Sequence, residues 1–165
     1  MSYLWLLWLL LATVYDARQR RIPNWLVLVG AATALTALAM NAQPFGIKWP
    51  EALTGSALGF GFLLLFYAAG VMGAGDVKFA GALGLWVGAT PLVPIWIFAS
   101  LLAGMHAMLW LALQRLTWFP RLTLMLSGRP GAADAPGARK HTRPIPFAAY
   151  LAVAAAVWMV WGRQR

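Results

Sequence analysis

The sequence predicts an all-α membrane protein of about six transmembrane helices with both termini outside the cytoplasm, and three observations carry that expectation. Hydrophobic residues make up 62% of the 165 and charged ones only 10%, against about 45–50% and about 25% in a soluble domain. Mean hydropathy is correspondingly +0.71. The apolar residues gather in runs that approach the roughly 20 needed to cross a bilayer, and the basic residues lie between those runs, where they orient a membrane chain. The length suits a single polytopic membrane domain over residues 1–165.

The first span, Ser2 to Tyr15, begins without basic residues and is succeeded by more apolar segments, so it reads as a retained helix and not as a cleaved signal peptide. It covers only about 21 Å at 1.5 Å per residue, and the helix is expected to continue through Asp16. The second span, Trp25 to Met40, follows DARQRRIPN (Asp16 to Asn24). The third, Ala52 to Met72, lies between NAQPFGIKWPE (Asn41 to Glu51) and the short GAGD (Gly73 to Asp76). Val77 to Ala89 and Leu92 to Leu113 are set apart by a break at Thr90 and Pro91. A polar stretch over about 114–146, rich in Gly, Ala, Pro and Arg from Gly128 to Arg143, reads as a solvated cytoplasmic loop before the last span, Phe147 to Trp161. The spacings Gly55 to Gly59 and Gly84 to Gly88 suit close helix packing.

Assigning the connections alternately to the two sides places Arg18, Arg20, Arg21, Lys78, Arg115, Arg121, Arg129, Arg139, Lys140 and Arg143 together, against Lys48, Arg163 and Arg165. Ten against three puts the first set in the cytoplasm. Trp25, Trp49, Trp118 and Trp161 fall near span ends, as an interfacial aromatic belt requires. The formal charge of +9 is therefore read as loop charge facing acidic lipid headgroups, and no nucleic-acid partner is expected. There is no cysteine, which excludes disulfides, thiolate metal sites and a cysteine nucleophile.

Acids are scarce: Asp16, Glu51, Asp76 and Asp134 are all the chain has. Asp16 ends the first span and Asp76 opens the fourth, and span parity sets both on the cytoplasmic side at similar depth. A carboxylate at the membrane edge is a functional candidate because its insertion is costly. Two bland roles compete: Asp76 as a helix cap, and Asp16 as a surface partner of Arg18 or Arg20. Beside Asp76, Gly73 and Gly75 are expected to allow backbone geometry closed to other residues and to let a substrate strand come close.

Three segments, in order, resemble the type IV prepilin peptidases, the GxGD aspartic proteases of the membrane. They are Asp16 with Arg18, Arg21, Ile22, Pro23 and Asn24; GAGDVKFAGALGLWVG from Gly73 to Gly88, with Lys78 two residues after the aspartate; and RPIPFAAYLA from Arg143 to Ala152. Ala148 stands where the family's third motif has a glycine. The resemblance implies that Asp16 and Asp76 are the catalytic pair. It implies as substrate the precursor of a pilin or pseudopilin, cut in the bacterial cytoplasmic membrane, on its cytoplasmic side, between a basic leader and a long apolar helix. Lys78 is then placed to orient a carboxylate or a peptide carbonyl, or serves as a snorkelling anchor, while Pro23 and Asn24 shape the start of the second helix. The longer bacterial members add a cytoplasmic zinc domain with CxxC pairs and N-methylate the new terminus. This sequence resembles the short subgroup associated with tight-adherence (Flp-type) pili, so no metal and no cofactor is expected, and oligomeric state stays open.

The chemistry agrees with the resemblance. Two close carboxylates resist double ionisation and hold one proton between them. The ionised member can deprotonate a water while the protonated one hydrogen-bonds the scissile carbonyl. Other chemistries fit less well. His106 and His141 form no HExxH, which argues against a zinc protease, and Ser56 with His106 as an intramembrane serine protease sits among packing residues. The rivals of a different class are a small proton-coupled transporter with relay carboxylates and a non-catalytic pilus-assembly scaffold.

Overall fold

The computed structural model describes residues 2–19, 21–115 and 146–162. Six helices account for most of them: α1 (Ser2–Gln19), α2 (Asn24–Ala39), α3 (Trp49–Ala68), α4 (Ala74–Val87), α5 (Ala89–Arg115) and α6 (Phe147–Gly162). No strand occurs among the described residues. α3 and α5 are long and apolar enough to cross a bilayer, while α2 and α6 are apolar but shorter. Residues 116–145 of the expected cytoplasmic loop, with the Arg143 of the third motif, lie outside the described residues, as do Arg20, Asp134, Arg163 and Arg165.

α1 continues through Asp16, as the shortness of the first apolar run required, and Gly88 separates α4 from α5. Thr90 and Pro91 do not form the expected break: α5 begins at Ala89 and runs through both. Proline in a first helical turn removes an N–H that has no intrahelical partner, so it does not interrupt the helix. The chain turns instead at Gly88, whose φ of 77° favours glycine. α3 likewise starts at Trp49, earlier than Ala52, because Pro50 sits in its first turn and the Lys48 N–H donates to Glu51 Oε2 at 3.1 Å.

α4 is the centre of the bundle. From Asp76 to Val87 every residue except Lys78 is buried. It runs antiparallel to α3, with Gly55 packed on the backbone of Gly84 and Gly88, and Gly59 on that of Ala80; a Cβ at Gly55 would stand 2.5 Å from the Gly84 carbonyl oxygen. Small residues thus let two helix backbones touch. Against α2 the same helix runs parallel. The Trp86 indole N–H donates to the Gly30 carbonyl at 3.0 Å, and the Lys78 ammonium donates to Asn24 Oδ1 at 3.0 Å.

Aromatic side chains fill the wedge between α1 and these helices. Trp8 stacks on Phe79 with ring centroids 4.9 Å apart and donates its indole N–H to the Leu26 carbonyl at 2.8 Å. Its ring also occupies the space that a side chain at Gly30 would need. Trp5 is fully buried and meets Phe45 edge-on at 5.2 Å. The outer faces of α1, α3 and α5 present Leu4, Leu10, Leu53, Leu65, Leu101 and Met108, each more than half exposed. An exposed apolar surface of this kind marks contact with lipid or another apolar partner.

Candidate active site

Asp16 and Asp76 are buried, at 3% and 8% exposure, and they are the buried charged residues among those described. Asp16 sits one turn before the end of α1, below Ala12 and Leu9 of the core. Asp76 occupies the first turn of α4, where Gly73 precedes the helix and its carbonyl accepts the Asp76 N–H at 3.1 Å. The carboxylate also interacts with the Gly73 backbone at the start of its own helix, so the capping role the sequence offered is present in part. One of its oxygens reaches a different element as well.

That element is the start of α6. The Ala148 N–H donates to Asp76 Oδ1 at 3.0 Å, and the next amide, Ala149 N–H, donates to Asp16 Oδ2 at 2.7 Å. Successive Cα atoms are about 3.8 Å apart, so two consecutive amides hold the two acids side by side. The charge on Asp16 is felt at Asp76. Amides of a helix's first turn have no intrahelical acceptor and point at whatever anion lies before them. The sequence had singled out Ile-Pro-Phe here, but a backbone donor carries no side-chain signature, and the role of Ala148 and Ala149 was not readable. Because the bond runs from the main chain, Ala148 supplies it as well as glycine would.

The two motif glycines have ordinary backbone geometry. Gly73 has φ −80° and ψ 147°, open to any residue, and Gly75 is helical without a positive φ. The expectation of unusual backbone geometry is therefore corrected. A Cβ at Gly73 would stand 3.4 Å from Asp76 Oδ2, and one at Gly75 would stand 3.5 Å from the Ile22 backbone nitrogen. Both distances are ordinary van der Waals contacts, so the packing around either position has space for a methyl group.

Pro23 and Asn24 start α2, and the Pro23 carbonyl accepts the Leu26 N–H at 3.1 Å. Asn24 also has a role beyond helix initiation, since its side chain holds Lys78. Lys78 is exposed and points away from the acids into an open seam between α2 and α4. Of the candidate residues, Asp16 and Asp76 meet on α6, Gly73 and Gly75 lie at their flank, and Asn24 with Lys78 forms a second, adjoining pair.

Fold and site together define a class: an all-helical protein with long apolar helices and a buried pair of aspartates drawn from two helices onto the amides of a third. The sequence profile described as the type IV leader peptidase family matches residues 3–109, which hold both aspartates. The chain belongs to that family. It is 30% identical over 160 residues to the prepilin leader peptidase/N-methyltransferase of Xanthomonas campestris pv. campestris, an alignment that takes in 90% of this chain and 45% of that protein. The chain thus spans about half the length of the curated relative it matches. No solved structure matches it.

Proposed function

We propose that the protein is a membrane aspartic endopeptidase that removes the basic leader peptide from type IV prepilin-like precursors, on the cytoplasmic side of the bacterial cytoplasmic membrane. The observation that carries this reading is the side-by-side burial of Asp16 and Asp76 on consecutive amides of α6. Family membership and the name of the Xanthomonas relative support it. All six helices are taken to lie across the bilayer, which accounts for the exposed leucines of α1, α3 and α5, and residues 1–165 to form one domain.

Catalysis follows from the pair. One aspartate is ionised and the other protonated, because like charges at this separation disfavour double ionisation. The ionised carboxylate takes a proton from a water whose oxygen attacks the scissile carbonyl carbon. The protonated one donates a hydrogen bond to the carbonyl oxygen as negative charge develops there. Collapse of the tetrahedral intermediate breaks the C–N bond, and the proton taken from water passes to the leaving nitrogen. The α6 amides fix one oxygen of each acid, so both carboxyl groups are oriented before substrate arrives.

Co-expression with a prepilin, followed by gel shift and N-terminal mass, tests the reading. Asp16→Asn and Asp76→Asn are each expected to abolish processing at wild-type protein level, with Asp134→Asn as the control that retains it. Normal cleavage by either dyad variant would overturn the mechanism and leave the transporter or scaffold reading in its place. The product mass also shows whether a methyl group is added.

A further inference from the structure

His106 is an ionisable side chain that catalysis as described leaves unused. It lies nine residues before the end of α5, about 13 Å along the helix, in a segment taken above to cross the bilayer. Buried Leu92, Ile95, Ala99 and Ala103 recur every three or four residues on α5, and His106 continues that stripe, so it stands on the face that packs into the bundle. Its ring is half-buried and meets the half-buried ring of Tyr150 on α6, with centroids 5.9 Å apart and planes tilted by 58°. An ionisable residue within a membrane helix is costly and calls for a role.

The place of Tyr150 supplies that role. It directly follows Ala148 and Ala149, whose N–H groups hold Asp76 and Asp16 at 3.0 and 2.7 Å. Both donors are buried alanines, and a methyl group gives a helix little grip against rotation about its own axis. We infer that the ring contact between His106 and Tyr150 positions the acid pair: it clamps the first turn of α6 from the side of α5 and so keeps the two amides aimed at the two carboxylates. His106 and Tyr150 are thus positioning residues, acting through the amides and not on the peptide. This rests on the endopeptidase reading above and deepens it.

Helix geometry gives the clamp its importance. Cα atoms lie about 2.3 Å from the helix axis, so turning α6 by about 20° moves each by about 0.8 Å. An N–H···O bond is good only over roughly 2.7–3.2 Å, and a misplacement of about 1 Å at a reacting group costs up to about a hundredfold in rate. Ring pairs with centroids about 4.5–7 Å apart attract through their edges and faces. Phe147, the other large side chain of the turn, packs on the core, and Tyr150 adds the tie to α5. The acids come from α1 and α4 and their donors from α6, so through His106 a fourth helix takes part in holding the pair.

The test uses the full chain in nanodiscs with a tagged type IV prepilin as substrate. His106→Ala is expected to lower kcat about tenfold while KM stays within about twofold of wild type, and to speed hydrogen exchange over residues 147–152 by about tenfold. His106→Phe, which keeps a ring, is expected to restore both. In a Tyr150→Ala background His106→Ala should have no further effect, because the partner ring is already gone. Met105→Ala, beside His106 on the exposed face, is the control and should match wild type. Unchanged kcat in folded His106→Ala, a His106→Phe variant as slow as His106→Ala, or full additivity with Tyr150→Ala would overturn the assignment. A rise in KM alone would overturn it too, by making His106 a substrate contact. Failure of the wild-type chain to cleave would instead remove the endopeptidase reading, and the exchange rates would still show whether His106 holds the first turn of α6.

Discussion

The two flanks of α4 are built on opposite principles. Toward α3 it lies backbone on backbone, with Gly55 against Gly84 and Gly59 against Ala80. Toward α2 the polar ties stand at the two ends, Lys78 to Asn24 and Trp86 to Gly30, with a seam of about 450 Å³ alongside them. The contrast shows how one helix is fixed by backbone contact on one flank and left open along the other. Glycine contacts on the α3 flank fix the height of Asp76, so the α2 flank is relieved of that task.

Substitutions can break this contrast in graded ways. The largest effect is expected from Gly84→Leu, whose side chain would have to occupy the Gly55 backbone. Overpacking here should cost about 3 kcal/mol or more, and detergent-solubilised protein should no longer elute as one species in size-exclusion chromatography. A wild-type elution and melting profile would mean that the closed flank is not closed. Next in size is Ala148→Pro, which removes the amide that holds Asp76 while proline remains acceptable in a first helical turn. Loss of a hydrogen bond to a charged group, about 1.5–3 kcal/mol, should slow prepilin processing roughly ten- to hundredfold with folded yield retained.

Trp8→Phe sharpens the comparison from a third side, since Trp8 ties α2 to α1 through the Leu26 carbonyl. Its melting temperature is expected to fall by about 3 °C for about 1 kcal/mol. Asn24→Ala should do least. Its partner Lys78 is exposed, and stability measured by thermal melting should stay within about 0.5 kcal/mol of wild type. A larger drop would mean that the α2 flank is held by this pair after all.

Much of this arrangement was legible in the amino-acid order, for identifiable reasons. Charged residues are so rare that Asp16 and Asp76 stood out by cost alone, and helix parity sufficed to expect them near each other. Gly55, Gly59, Gly84 and Gly88 showed their packing role through spacing. What escaped notice is main-chain chemistry and local turn preference. The Ala148 and Ala149 amides leave no mark in side-chain identity, and Pro91 looked like a breaker because its position within the first turn of α5 depends on where that helix begins. The seam was invisible because its stripes at 24, 28, 31 and 78, 82, 85 become one surface only when α2 and α4 lie parallel.

The amides that hold the acids come from the far end of the polypeptide, 72 residues after Asp76 and 133 residues after Asp16. A nascent chain that has reached Arg115 already holds both acids and every wall of the seam, yet it lacks the donors that orient them. Completion of α6 is therefore the step that brings the two acids onto shared donors. A product terminated before α6 would carry both acids without the amides that hold them, so the paired arrangement forms only once α6 has been made.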